Sequence, residues 1–253
     1  MRILLSCPYA WDAPGGVQVH VGQLARVLID RGHEVLVLAP GSARPTEPFV
    51  RVVGRAIRVP YAGTVAPICF SRRSFRRIRR LLGSFEPDVV HVHEPLTPST
   101  SMLTAFASRG PVVATYHAHL ERSRLMEAAA PALRTVRRRL SAEVAVSRAA
   151  ARFLSRAMPG AVEIVPNGVD VARFAEPGPP ADGLPPGPRI LWVARLDPQK
   201  GFPVLVRAFA RLAAERDDLI LVVVGDGRDR DALGLLSDDD RRRVTMLGML
   251  PHE

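Results

Sequence analysis

Two cysteines, Cys7 and Cys69, are all that this 253-residue chain carries. They have no metal-binding spacing and form no disulfide framework, so a reducing compartment is expected. Aromatic residues are sparse at 6%, and no aromatic platform or nucleic-acid-binding motif accompanies the arginines, which argues against nucleic acid as a partner. No apolar run approaches the ~20 residues that cross a bilayer. The N-terminus opens on a short strand pattern, without the charged region, apolar run and cleavage site of a secretory leader. The expected location is therefore the cytoplasm, with contact at the inner face of the cell membrane. No internal repeat of solenoid period is present.

Positive charge and alternating elements are abundant. The net charge is +10 and the sequence pI about 11.0, so an anionic partner is expected. Arg2–Cys7 reads as a buried strand, and the apolar residues Val17, Val21, Leu24, Ala25 and Leu28 recur at helical spacing. Gly32 is a helix stop, and Glu34–Ala39 a second strand. Further strands are expected at Arg51–Val59, Asp88–His93, Val112–Tyr116, Val144–Val146 and Val162–Val165. Helices are expected at Ser71–Leu82, Ser99–Ser108, Leu120–Leu140 and Arg148–Ala157. This alternation implies a doubly wound parallel sheet that binds ligands beyond its strand C-termini. The stretch Glu176–Pro188 is too rich in proline and glycine for an element interior and reads as a linker. Beyond it come strand Arg189–Ala194, helix Phe202–Ala214, strand Leu219–Val224, helix Arg228–Leu236 and strand Val244–Leu247. The expected organisation is a first lobe over 1–175, a linker over 176–188 and part of a second lobe over 189–253.

Gly15-Gly16 opens the first helix right after the first strand, offering backbone N–H groups to an anion. A tight turn that needs glycine for its shape is the plainer reading of the pair. The GxGxxG spacing of a dinucleotide site is missing, and the second strand ends Leu38-Ala39-Pro40 without a ribose-binding acid. Gln18 faces either the cleft or solvent. Arg195 and Lys200 share a strand-to-helix loop, where two fixed cations suit a pyrophosphate. His91, His93 and Glu94 end one strand and His117 and His119 end another. With no cysteine or second carboxylate to complete a ligand set, no metal site is expected. His117 lies at the ligand-binding rim.

In Ser71–Leu82 a stripe of Phe75, Ile78 and Leu82 is wrapped by Arg72, Arg73, Arg76, Arg77, Arg79 and Arg80. Two readings stay open. One is a basic amphipathic helix lying on anionic lipid. The other is a helix whose stripe packs on the core beneath solvated arginines.

The ordered motifs PYAWDAPGGVQVHVGQLARVL, DVVHVHEP, VVATYHAH, AVSRAA, VPNGVDVARF and VARLDPQKG span the chain. Together they resemble the retaining GT-B glycosyltransferases of family 4 type, and among these the inositol-lipid mannosyltransferases of actinobacteria. The resemblance implies two Rossmann-like lobes, an acceptor held by the first and a nucleotide-sugar donor by the second. It implies transfer of a sugar, mannose from GDP-mannose in the nearest pattern, to a membrane lipid such as phosphatidylinositol. Carried over by position, Gly16 approaches the donor, Arg195 and Lys200 hold its diphosphate, and His117 acts beside the transferred sugar. Tyr9, Gln18 and Tyr61 match acceptor positions, and the arginine helix matches a membrane-docking segment. The fold requires no cofactor, Mg²⁺ is not indicated, and no protein partner is implied.

The chain departs from that pattern around the acceptor headgroup. Ala62, Pro67, Leu96 and Ala118 stand where asparagine, arginine, asparagine and threonine are expected. The second-lobe pair of glutamates that contacts sugar and ribose would fall after Glu253. An inactive fragment that only binds nucleotide or anionic membrane is the alternative reading.

Overall fold

The computed structural model describes all residues except 14, 62–63, 119–123, 176–177, 179–183 and 251–253. The side chains of 60–61, 64, 124–127, 157 and 173 are likewise outside the description. His119, Ala62, most of the expected linker and the Tyr61 side chain therefore lie outside the described residues. The chain divides into two compact units, Met1–Val169 and Asp170–Glu253.

In the first unit the elements run β1 (Arg2–Ser6), α1 (Gly16–Asp30), β2 (Glu34–Pro40), β3 (Val50–Gly54), β4 (Ile57–Tyr61), β5 (Thr64–Ile68), α2 (Arg72–Phe85) and β6 (Val89–His93). They continue with α3 (Thr100–Ala107), β7 (Val112–Tyr116), α4 (Arg124–Arg137), β8 (Ala142–Ala145), α5 (Arg148–Ala157) and β9 (Glu163–Ile164). Seven parallel strands form one sheet in the order β3-β2-β1-β6-β7-β8-β9. Strand alternation sends Leu4 to one face and Ile3 and Leu5 to the other, and each face carries its own core. The Leu4 face packs Ile78 of α2, Met102 and Leu103 of α3 and Leu154 of α5. The Ile3/Leu5 face packs Val21 and Ala25 of α1. Helices on both faces make the sheet doubly wound. Its strand order reverses between β1 and β6, which opens a crevice at their C-terminal ends.

One expectation in this unit is corrected, and one alternative left open is decided. Arg51–Val59 is not one strand: it divides into β3, in the main sheet, and β4, which pairs antiparallel with β5 in a separate hairpin. At Gly54, the last residue of β3, a Cβ would sit 2.2 Å from Ser74 Oγ and 2.7 Å from Cys69 Sγ, so strand and α2 meet backbone to side chain. The stripe of α2 belongs to the core. Ile78 is fully buried, and Phe75 and Leu82 pack partly buried beside it, while the six arginines face outward. Ser71 caps this helix by accepting from the Ser74 N–H at 3.1 Å.

The second unit holds α6 (Val171–Ala175), β10 (Arg189–Val193), α7 (Phe202–Ala213), β11 (Ile220–Val224), α8 (Asp238–Arg242) and β12 (Val244–Gly248). Helix α6, placed by the sequence in the first lobe, groups with this unit. The three strands are parallel in the order β10-β11-β12. Phe202, Val206 and Phe209 of α7 pack on Leu221 and Val223. The expected helix Arg228–Leu236 is a 3₁₀ run over Arg228–Leu235, followed by the short α8. Gly227 before it and Gly234 within it disfavour a regular α-helix.

Candidate functional site

The loop after β1 is fixed from several sides. Thr100 Oγ1 donates to the Cys7 carbonyl at 2.6 Å, and Ser101 Oγ donates to the Ser6 carbonyl at 3.0 Å. Ala10 N–H donates to the Pro67 carbonyl at 2.8 Å, and Tyr9 bridges antiparallel to Ile68. The hairpin β4–β5 therefore leans on the glycine-turn loop. Tyr9 meets its open end and Tyr61 pairs with Thr64 at its turn. Four residues of β5 separate those positions, about 13 Å of strand.

Gln18 faces neither solvent nor an open cleft with its amide hydrogens. Its Nε2 donates to the carbonyls of Ala10 and Ala13, both at 3.0 Å, and the side chain is buried. A Cβ on Gly15 would lie 2.5 Å from Gln18 Oε1, so the first glycine of the pair is required by packing. Its φ is −175°, extended backbone that any residue adopts. Gly16 differs: a Cβ there would meet nothing within 4 Å. Neither its neighbours nor the turn demand glycine, and the backbone at the start of α1 stands open.

At the rim of the next two strands stand four histidines. His93 is fully buried at the end of β6, and its Nδ1 lies 2.9 Å from His117 Nε2, just past β7. His91 stacks on His93 with centroids 4.5 Å apart and bonds Thr115 Oγ1 at 2.7 Å. His20 of α1 turns its ring edge toward both His93 and His117, at 5.5 and 5.1 Å. Sequence reasoning missed His20. It lies one helical turn beyond Gly16, on the face that looks toward the strand ends, which was the available signal.

Burial, reinforced by the neighbouring imidazoles, pushes His117 down to about 3 and His91 to about 4. His93 is lowered by the same causes and His20 by burial. The cluster is therefore uncharged at neutral pH. Two neutral imidazoles sharing one hydrogen bond have two possible arrangements. If His117 Nε2 donated, His93 would carry its proton on Nε2, which is buried without a hydrogen-bond partner among the described residues. An orphaned buried N–H is the costlier defect. The favoured arrangement has His93 Nδ1 donating, which leaves the proton of His117 on Nδ1 as a donor.

Glu94 organises the same rim. It takes a left-handed backbone, φ 51°, and its buried Oε1 accepts from the backbone N–H groups of His117 and, at 2.6 Å, Ala118. Burial raises this carboxyl while the two N–H groups pull it back down. The departures from the acceptor pattern have structural places here. Leu96 is buried in the core cluster, the Pro67 carbonyl holds the Ala10 loop, and Ala118 gives its N–H to Glu94. None of these three side chains offers a polar headgroup contact.

In the second unit, Arg195 and Lys200 lie on the loop from β10 to α7. Arg195 Nη1 pairs with Asp197 Oδ2 at 3.0 Å. Lys200, the only lysine in the chain, is exposed at the end of a 3₁₀ turn, before Gly201 at φ 76°. A second loop, which sequence reasoning passed over, packs against this one. Gly225 has φ 133°, and a Cβ there would lie 2.0 Å from the Ala194 carbonyl oxygen. Leu196 N–H donates to the Asp226 carbonyl at 3.0 Å. Gly225-Asp226-Gly227 right after an apolar strand was the signal for it.

Comparison with known proteins sets these features in a family. The profile of Glycosyltransferase Family 4 matches residues 14–173, and that of Glycosyl transferases group 1 matches 187–253. Phosphatidyl-myo-inositol mannosyltransferase of Mycolicibacterium smegmatis is 40% identical over 99% of this chain and 65% of its own length. A GDP-mannose-dependent alpha-(1-6)-phosphatidylinositol monomannoside mannosyltransferase of the same organism is 30% identical, over 89% of this chain and 61% of its own. The chain thus spans a little under two thirds of the length of these relatives. Among solved structures, Anabaena HepE in complex with UDP-glucose superposes with a TM-score of 0.67 at 21% identity. That match covers 99% of this chain and 70% of HepE. Sucrose-phosphate synthase from Thermosynechococcus elongatus gives 0.66 at 16%, covering 99% and 71%. The fold is α/β of the GT-B class, and the chain belongs to glycosyltransferase family 4.

Proposed function

We propose that the chain is the acceptor unit and part of the donor unit of a retaining mannosyltransferase, which moves mannose from GDP-mannose to a phosphatidylinositol-type lipid. The observation that carries this reading is the 40% identity with the M. smegmatis phosphatidyl-myo-inositol mannosyltransferase over 99% of the chain. Glycosyl transfer to a phosphate-leaving donor requires fixed positive charge where the diphosphate departs, and the Arg195/Lys200 loop supplies it. The open backbone at Gly16 suits close approach of a ligand to a helix N-terminus. His117, neutral and donating through Nδ1, suits a hydrogen bond to a sugar oxygen in the transition state rather than a proton transfer. Titration calorimetry with GDP-mannose and UDP-glucose tests the donor. Tighter binding of GDP-mannose is expected, and a preference for UDP-glucose would contradict the assignment.

Polar replacements are missing at Leu96, Pro67 and Ala118, so we assign headgroup selection to residues other than these three. Lipid docking falls to the arginines of α2, whose apolar stripe is committed to the core. Each cation near an anionic surface contributes about 1 kcal/mol. Replacing Arg72, Arg73, Arg76 and Arg77 with serine is therefore expected to abolish most sedimentation with vesicles of anionic phospholipid, while circular dichroism stays unchanged. Wild-type binding should weaken steeply with salt, since the attraction acts over ~10 Å at 0.1 M. Binding that ignores salt would remove this role. No described helix is long and apolar enough to cross a membrane.

A further inference from the structure

We propose that His20, His93 and His117 form a three-nitrogen site for a zinc-like divalent transition metal, which the transfer reaction itself does not use. One ring nitrogen from each residue lies within 4.8 Å of the other two. A tetrahedral centre with Zn–N bonds of 2.0–2.1 Å sets its ligand nitrogens about 3.4 Å apart. The 2.9 Å pair of His93 and His117 must open by about half an ångström, and His20 must swing in by side-chain rotation.

Two further features favour a metal over a mere histidine stack. The ligands come from three rigid places, α1, the end of β6 and the segment after β7, so the site costs little ordering on binding. All three imidazoles are uncharged at neutral pH, the form that coordinates. Three histidines with one open position is the ligand set of catalytic zinc, but no carboxylate among the described residues completes it. Imidazole ligands with no thiolate favour Zn²⁺, Co²⁺, Ni²⁺ or Cu²⁺ over Mg²⁺. Coordination would occupy His117, and the metal is thus an inhibitor of the proposed transfer. Binding itself does not depend on that reading, because it is measured without donor or lipid.

The test is Co²⁺ titration of the EDTA-stripped, tag-free chain, followed by visible absorption. The expected result is uptake of one equivalent, with the intense d–d bands of a four-coordinate nitrogen-rich site, displaced by one equivalent of Zn²⁺. His20→Ala should weaken uptake at least tenfold, the scale on which metal sites respond even to outer-shell changes. His117→Ala should do the same, and His33→Ala, remote from the cluster, should behave as wild type. Circular dichroism checks that each variant folds, with His20→Gln replacing His20→Ala if needed. No visible band in the wild type, or a Co²⁺ affinity that His20 and His117 variants leave unchanged, overturns the proposal.

Discussion

Lowering the pH from 7.5 to 5 is expected to destabilise the first unit by roughly 4 kcal/mol through His91 and His117, read from urea midpoints in the presence of EDTA. His91, held at about 4, and His117, held at about 3, stay neutral in the fold because burial penalises their charged forms. His93 is lowered for the same reason. In the unfolded chain each titrates near its ordinary value of about 6.5. Between those limits the unfolded state binds more protons, so unfolding becomes easier as pH falls through 6.5 toward 4. Each unit of pH in that window costs up to ~1.4 kcal/mol per fully suppressed group. Glu94 acts in the opposite sense. Its raised carboxyl takes up a proton in the fold before it would in the unfolded chain, returning part of the loss. A flat stability profile between pH 7.5 and 5 would mean that the cluster is charged or hydrated in the native state.

Replacing Lys200 with alanine is expected to weaken GDP binding by roughly 1.5–3 kcal/mol, the range for a hydrogen bond to a charged group. That is about 10- to 150-fold in Kd. Guanosine, which has no phosphates, should bind with unchanged affinity. Arg195→Ala should cost a comparable amount, because it removes the other cation of the same loop. The chain's single lysine allows a direct check. Reductive methylation can mark only Lys200 and the N-terminal amine, and GDP should protect the former and not the latter. Equal losses for GDP and guanosine would show that the substitution damages the fold rather than a phosphate contact.

Much of the first unit was legible because buried parallel strands read as short apolar runs, as in Arg2–Ser6, Val89–His93 and Val112–Tyr116. The β4–β5 hairpin was not. Its strands are short, and the close approach of Ser74 and Cys69 to Gly54, where β3 ends, is a contact local pattern cannot show. The arginine helix was legible as a helix, but its stripe had two compatible partners, lipid and core, and only the packing of Ile78 and Phe75 decides between them. The glycine pair was legible as a turn, yet the distinct duties of Gly15 and Gly16 emerge only from the position of Gln18 Oε1. His117 was legible as a residue at a strand tip, just past β7. His20 was hidden because a histidine on an amphipathic helix looks like a solvated residue until the helix is docked on the sheet. Loop 225–227 was overlooked because its glycines are needed for the approach of Ala194 and Leu196, far away in sequence.

Lipid mannosylation by this chain is measured by transfer of radiolabelled mannose from GDP-mannose into vesicles, with and without phosphatidylinositol, followed by lipid extraction. Label is expected in the lipid phase only when phosphatidylinositol is present, with a large fall in turnover for His117→Ala and GDP affinity near wild type, the mark of an interaction made mainly in the transition state. Binding of GDP-mannose with no label entering lipid under any condition, or label that enters equally in vesicles without phosphatidylinositol, would contradict the proposed transfer.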